Sequence, residues 1–138
     1  MGTCSINKKD CPYNEKGDCV WEDADKPKTV AVDLDGTILR YNGWKGHKHF
    51  GEPIDGAKEA LEEFRKMGFK IIIWTTRPDK RSIQEVLRKH NIPYDYINEN
   101  PYQPPDVSNK IYADFYIDDR AIEFTTWKAT LKRVKDRI

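Results

Sequence analysis

Between Val30 and Leu39 the chain reads V-A-V-D-L-D-G-T-I-L. A β-branched run opens this stretch, and two aspartates one residue apart break it. Aspartate is a poor guest inside a strand, so Asp33 and Asp35 are expected just where a strand stops. Gly36 then permits a sharp turn and lets the backbone approach a bound group closely. Asp-Gly by itself is an ordinary turn signal. Its weight changes because two later apolar runs also end in polar, chemistry-bearing residues.

The first of these is Phe69 to Trp74, F-K-I-I-I-W, stopped by Thr75-Thr76-Arg77-Pro78. Such a run suits a central strand covered on both faces. The second, Ile111 to Ile117, ends at Asp118-Asp119, and a short strand over Tyr94 to Ile97 lies between them. Ile54 to Met67 places apolar residues at 54, 57, 61, 64 and 67, the stripe of an amphipathic helix, with Gly68 to end it. The same periodicity predicts helices over Asp79 to His90, with Ile83, Val86 and Leu87 inward, and over Thr126 to Arg137, with Trp127, Leu131 and Val134 on one stripe. Strands alternating with helices imply parallel strands joined by right-handed crossovers. The expected fold is a small doubly wound, Rossmann-like α/β sheet with helices on both faces. It occupies residues 29–138, behind a Cys-containing segment and charged connector over residues 1–28.

Composition narrows the partners. Basic residues number 24 against 23 acidic, a net charge of +1. That balance argues against a surface built to coat nucleic acid, while leaving room for a local basic patch. No apolar run is long enough to span a membrane, and Met1 to Val20 lacks the apolar core of a secretion signal. The chain reads as a cytoplasmic protein. Cys4, Cys11 and Cys19 make an odd count with no signal peptide, weak grounds for disulfides. Three thiolates could hold Zn²⁺ with a fourth ligand such as Asp10, His47 or His49. Against this, no C-x-x-C spacing is present, and a loosely ordered appendage is the other reading.

In a parallel sheet all the carboxyl ends lie on one edge, where ligands of α/β proteins bind. Asp33, Asp35, Asp118 and Asp119 would crowd there and repel one another unless a cation sits among them. Oxygen-only ligands favour Mg²⁺ over zinc. The plain alternative is a set of separate strand-end turns with solvated carboxylates. A Mg²⁺-loaded edge suits phosphoryl groups: one aspartate can attack phosphorus, and a second can pass a proton to the leaving oxygen and later take one from water. Thr75 could donate to a phosphoryl oxygen. A lysine should neutralise the transferring group, and Lys110 is the only one between Asn91 and Trp127.

The order D-L-D-G-T, then I-I-I-W-T-T-R, then Lys110, then Y-I-D-D closely resembles the haloacid dehalogenase-like (HAD) hydrolases, most of them Mg²⁺-dependent phosphatases, over about Thr29 to Thr125. The resemblance implies that Asp33 is the nucleophile and a metal ligand. It makes Asp35 the general acid/base, with its backbone carbonyl a second ligand to the metal. Thr75 becomes the phosphate-binding hydroxyl, Lys110 the neutralising cation and Asp118 a metal carboxylate, while Asp119 acts through metal-bound water. Dehalogenases of the family lack the second aspartate, so Asp35 points to phosphoryl chemistry. Lys110 to Ala121 is also similar to small bacterial and phage phosphatase-like proteins. Asp114 could support Lys110 or cap a turn.

Only Arg40 to Pro53 is available as an insert after the first motif, so no cap domain is expected. An open site should accept large substrates, or use a partner chain to close it. The insert's R-Y-N-G-W-K-G-H-K-H-F could stack a ring and hold an anionic tail. Alternatively it is a solvated, flexible loop with Trp44 folded onto the body. Thr76, Arg77 and Arg120, beside the motif residues, are candidates to contact substrate; either arginine could instead form a structural ion pair. Three functions are open: a phosphatase of a nucleotide or sugar phosphate, a phosphatase of nucleic-acid ends, and a non-catalytic binding module on the same fold.

Overall fold

The chain runs β1 (Thr29–Val32), α1 (Ala57–Lys66), β2 (Lys70–Ile73), α2 (Lys80–Lys89), β3 (Tyr96–Ile97), β4 (Phe115–Ile117) and α3 (Trp127–Arg137) in a computed structural model that describes residues 26–138. Cys4, Cys11 and Cys19, and with them the Zn²⁺ expectation, lie outside the described residues. Every residue of β1 is buried, because β2 and β4 pair with it on its two sides. The register is Val30↔Ile71 and Val32↔Ile73 with β2, and Val30↔Phe115 and Val32↔Ile117 with β4. All pairings are parallel and the strand order is β3-β2-β1-β4.

That order explains which residues form the core. From β1 to β2 to β3 the chain steps in one direction, so right-handed crossovers put α1 and α2 on the same face. Val30, Val32, Ile71 and Ile73 pack there with Leu61 of α1 and Ile83 and Leu87 of α2. α1 starts at Ala57, three residues later than the apolar stripe predicts, because Gly56 takes a left-handed conformation (φ 88°) ahead of it. α2 starts where Asp79 caps it, accepting from the Ser82 N–H.

The return from β3 to β4 runs the other way and crosses the opposite face, onto which Ala31 and Ile72 point. The doubly wound topology is the expected one, but this connection is a Pro-rich loop rather than a helix. It buries Asn100, Pro104, Ile111 and Ala113. Side chains replace the helical hydrogen bonds: Asn100 Nδ2 donates to the Tyr112 carbonyl (2.9 Å), and the Tyr116 hydroxyl donates to that of Ile111 (2.6 Å). α3 has a good cap, Thr126 Oγ1 accepting from the Ala129 N–H (3.1 Å), yet none of its residues is buried. Its Trp127–Leu131–Val134 stripe faces outward, with Trp127 73% exposed. The α/β fold with a parallel four-stranded sheet and three helices is the expected one, with a loop making the β3–β4 connection. Among the described residues no helix is long and apolar enough to cross a membrane.

Candidate active site

The β1–β4 ladder carries two chain segments to the carboxyl edge together. The Asp33 N–H donates to the Ile117 carbonyl (2.9 Å), so pairing continues one residue beyond β1. Asp33, Asp118 and Asp119 each place a carboxylate oxygen within 4.8 Å of the other two. Burial, reinforced by the Asp118 and Asp119 carboxylates, pushes the Asp33 carboxyl up to about 7. The Thr37 hydroxyl approaches Asp33 Oδ2 at 3.4 Å, and the Arg120 N–H fixes Asp118 Oδ1 at 2.9 Å. Among the described residues no lysine or arginine pairs with any of the three. Glycine suits position 36 because its φ is +87°, a conformation other side chains rarely adopt; a Cβ there would also meet the Asp119 carboxylate.

An all-oxygen donor set with this spacing fits a hard divalent cation. Asp33, Asp118 and Asp119 are the residues placed to hold it.

After Asp33 the chain winds tightly on itself. The Leu34 carbonyl accepts from the N–H groups of Ile38 (3.0 Å) and Leu39 (2.9 Å), and all three side chains are fully buried. Arg40 N–H to Glu52 carbonyl and Ile54 N–H to Ile38 carbonyl, both 2.8 Å, then clamp the two feet of the insert.

Asp35 does not join the acidic cluster. Its carboxylate forms a bidentate ion pair with Arg77, Nε to Oδ2 at 2.7 Å and Nη2 to Oδ1 at 2.9 Å. The Arg77 guanidinium also donates to the carbonyls of His47 (3.1 Å) and His49 (2.8 Å) and lies over the rings of Phe50 and Trp44. Arg77 thus forms an ion pair, with Asp35 as its partner. The insert is likewise fastened to the body rather than loose. A cleft of about 600 Å³ separates it from α2, with Lys48, His49 and Phe50 on one side and Ser82, Lys89 and His90 on the other.

Thr75 follows β2 at the same edge. Its N–H donates to Asn98 Oδ1 (2.8 Å) and its hydroxyl accepts from the Arg77 N–H (3.2 Å). Thr76, Lys110 and Arg120 are exposed. No hydrogen bond or ion pair joins the Lys110 ammonium to the acidic cluster; its backbone N–H meets Ser108 Oγ at 3.4 Å. Asp114 serves neither Lys110 nor the site: it fastens the start of β1, accepting from the Thr29 N–H (2.7 Å). Sequence reasoning missed Asn98, which takes a positive φ of 54° and orders the Thr75 backbone. The available signal was an asparagine directly after a strand, a residue that tolerates this conformation.

Residues 30–135 match the haloacid dehalogenase-like hydrolase family. The chain belongs to that family. Within it, a 51-residue stretch covering 37% of this chain is 39% identical to the sugar-phosphatase AraL of Bacillus subtilis (strain 168). That stretch spans only 15% of AraL's length. A conserved protein of Bacteroides thetaiotaomicron superposes with a TM-score of 0.57 at 26% identity, over 82% of this chain and 93% of that one. A chain of the Pnkp1/Rnl/Hen1 RNA repair complex shares the fold, with a TM-score of 0.53 at 24% identity, over 71% of this chain and 38% of its own.

Proposed function

We propose that this protein is a Mg²⁺-dependent phosphatase that hydrolyses a phosphomonoester through an aspartyl-phosphate on Asp33. The observation that carries the reading is the convergence of Asp33, Asp118 and Asp119 within 4.8 Å at the carboxyl edge of a HAD-family sheet. Asp33 and Asp118 would hold the cation, helped by the Asp35 backbone carbonyl and, through water, by Asp119. Bound there, Mg²⁺ would offset the mutual repulsion of the carboxylates and the charge of an incoming phosphoryl group.

An Asp33 oxygen attacks phosphorus while the bond to the leaving oxygen breaks. Asp35 gives a proton to that oxygen, then takes one from the water that attacks the aspartyl-phosphate, releasing phosphate and restoring Asp33. The Thr75 hydroxyl donates to a phosphoryl oxygen, and the exposed Lys110 turns inward to neutralise it. Thr76 and Arg120 stand at the exposed rim, available to the substrate. The match to a sugar-phosphatase supports a phosphorylated small molecule, a sugar phosphate or nucleotide, as substrate.

The test is hydrolysis of a generic aryl phosphate with and without Mg²⁺, beside an Asp33→Asn control. Turnover that needs both the metal and Asp33 is the expected result. Activity surviving in the variant would mean another nucleophile and overturn the mechanism.

A further inference from the structure

Arg77 follows directly on Thr75 and Thr76, yet its guanidinium is turned wholly into the protein. The side chain is 4% exposed. A guanidinium has five N–H donors in a fixed plane, and each has an acceptor here. Nε and one Nη2 hydrogen meet the two oxygens of Asp35; the other Nη2 hydrogen meets the His49 carbonyl; Nη1 meets those of His47 (3.1 Å) and Gly46 (3.4 Å). Its flat faces rest against Phe50 (4.1 Å from the ring centroid) and Trp44 (5.1 Å). No donor is left to bind a substrate.

We infer that Arg77 is a positioning residue that joins the Asp35 carboxylate and the 44–50 segment of the insert into one unit, so that the seating of the insert sets where Asp35 points. Three carbonyls of the insert hold one edge of the guanidinium and two of its rings lie against the flat group, while both Asp35 oxygens hold another edge. Neither group can shift without moving the guanidinium, and a shift of the guanidinium disturbs both. Lysine cannot replace it, because an ammonium has three donors, no plane and no bidentate fork. A buried ion pair is weak grounds for a purely stabilising role; here the pair links the Asp35 turn to the middle of the insert, which also reaches the body through His47 and Asp79 (3.9 Å) and through Phe50 packed on the core. The catalytic half of this inference rests on the acid/base role proposed for Asp35, while the mechanical half does not.

The test uses the full chain with Arg77→Lys, Trp44→Ala and the double variant. With an aryl phosphate and saturating Mg²⁺, Arg77→Lys is expected to lower kcat roughly 10- to 100-fold, the scale on which slight misplacement of a catalytic group acts, with KM nearly unchanged. Trp44→Ala leaves the Asp35 pair intact and should lower kcat by less. The double variant should be no slower than Arg77→Lys alone, because both act through one contact. Limited trypsin digestion supplies the independent reading: cleavage after Lys45 and Lys48 should be faster in both single variants. A raised KM at constant kcat would make Arg77 a substrate contact and overturn the inference. Unchanged kcat or unchanged cleavage in Arg77→Lys would overturn it as well. If Arg77→Lys does not fold, Trp44→Ala decides by the same two measurements. A wild-type protein that hydrolyses no phosphoester would refute the proposed function, and the digestion pattern would still decide whether insert and Asp35 are linked.

Discussion

Aspartates stand at both edges of this sheet, and the two edges treat them in opposite ways. At the amino edge Asp95 precedes β3 and Asp114 precedes β4. Each makes the same pair of bonds to the neighbouring strand. Asp114 donates its N–H to the Thr29 carbonyl (2.9 Å) and accepts the Thr29 N–H on Oδ2 (2.7 Å). Asp95 does so with Ile71, at 2.9 and 2.8 Å, and also holds Arg65. There a starting strand offers an N–H that the ladder has not yet reached, and a carboxylate satisfies it. At the carboxyl edge Asp33, Asp118 and Asp119 meet one another instead. One residue type is thus structural where an unpaired strand N–H awaits it and chemically loaded where carboxylates converge on one another with no cationic side chain of the described residues between them. Position along the strand separates the two roles.

The largest effect expected to sharpen this contrast is on activity. Asp118→Asn should lower Mg²⁺-dependent turnover at least about a hundredfold, since it removes a charged ligand from a catalytic cation. The metal-free protein should melt no lower than wild type, because a repulsion is relieved. A lowered melting temperature would place Asp118 with the structural acids. Asp114→Ala should show the reverse: a loss of about 1–3 kcal/mol in urea unfolding, because the buried Thr29 N–H loses its side-chain acceptor, with turnover per folded molecule unchanged. Loss of activity without loss of stability would break the comparison.

The smallest effect is with pH. The Asp33 carboxyl sits at about 7 in the folded chain against 3.8 ordinarily. The folded state therefore holds a proton that the unfolded state releases, so this group's contribution to stability is full below pH 3.8 and is lost as pH rises to about 7. Mg²⁺ must displace the same proton. Its affinity, measured by calorimetry, should be roughly tenfold higher at pH 8 than at pH 6. A flat profile would show that Asp33 is not among the ligands.

Sequence patterning reached the strands that matter most. β1 and β2 are β-branched except at Ala31 and Lys70, and buried except at Lys70, so pattern and environment agree. Ile111 to Ala113 carries the same pattern but does not pair, because Tyr116 and Asp114 take its backbone groups and those of Thr29. Helical periodicity located α3 without revealing what its stripe packs on, since a period records only that apolar residues share a side. The acidic cluster was legible because a parallel sheet fixes which ends converge. The Arg77 network was not: the acceptors of its guanidinium lie 28 to 42 residues away, and no local spacing encodes such a meeting.

The hydrogen bond from Asp33 N–H to the Ile117 carbonyl has one further consequence. It makes the separation between the first aspartate and the Asp118–Asp119 pair a rung of the backbone itself, rather than a product of side-chain packing. Substitutions in the surrounding loops can reshape what approaches these three carboxylates while leaving their mutual spacing ruled by peptide geometry. A scaffold of this kind holds its reaction constant and leaves its clientele free to change.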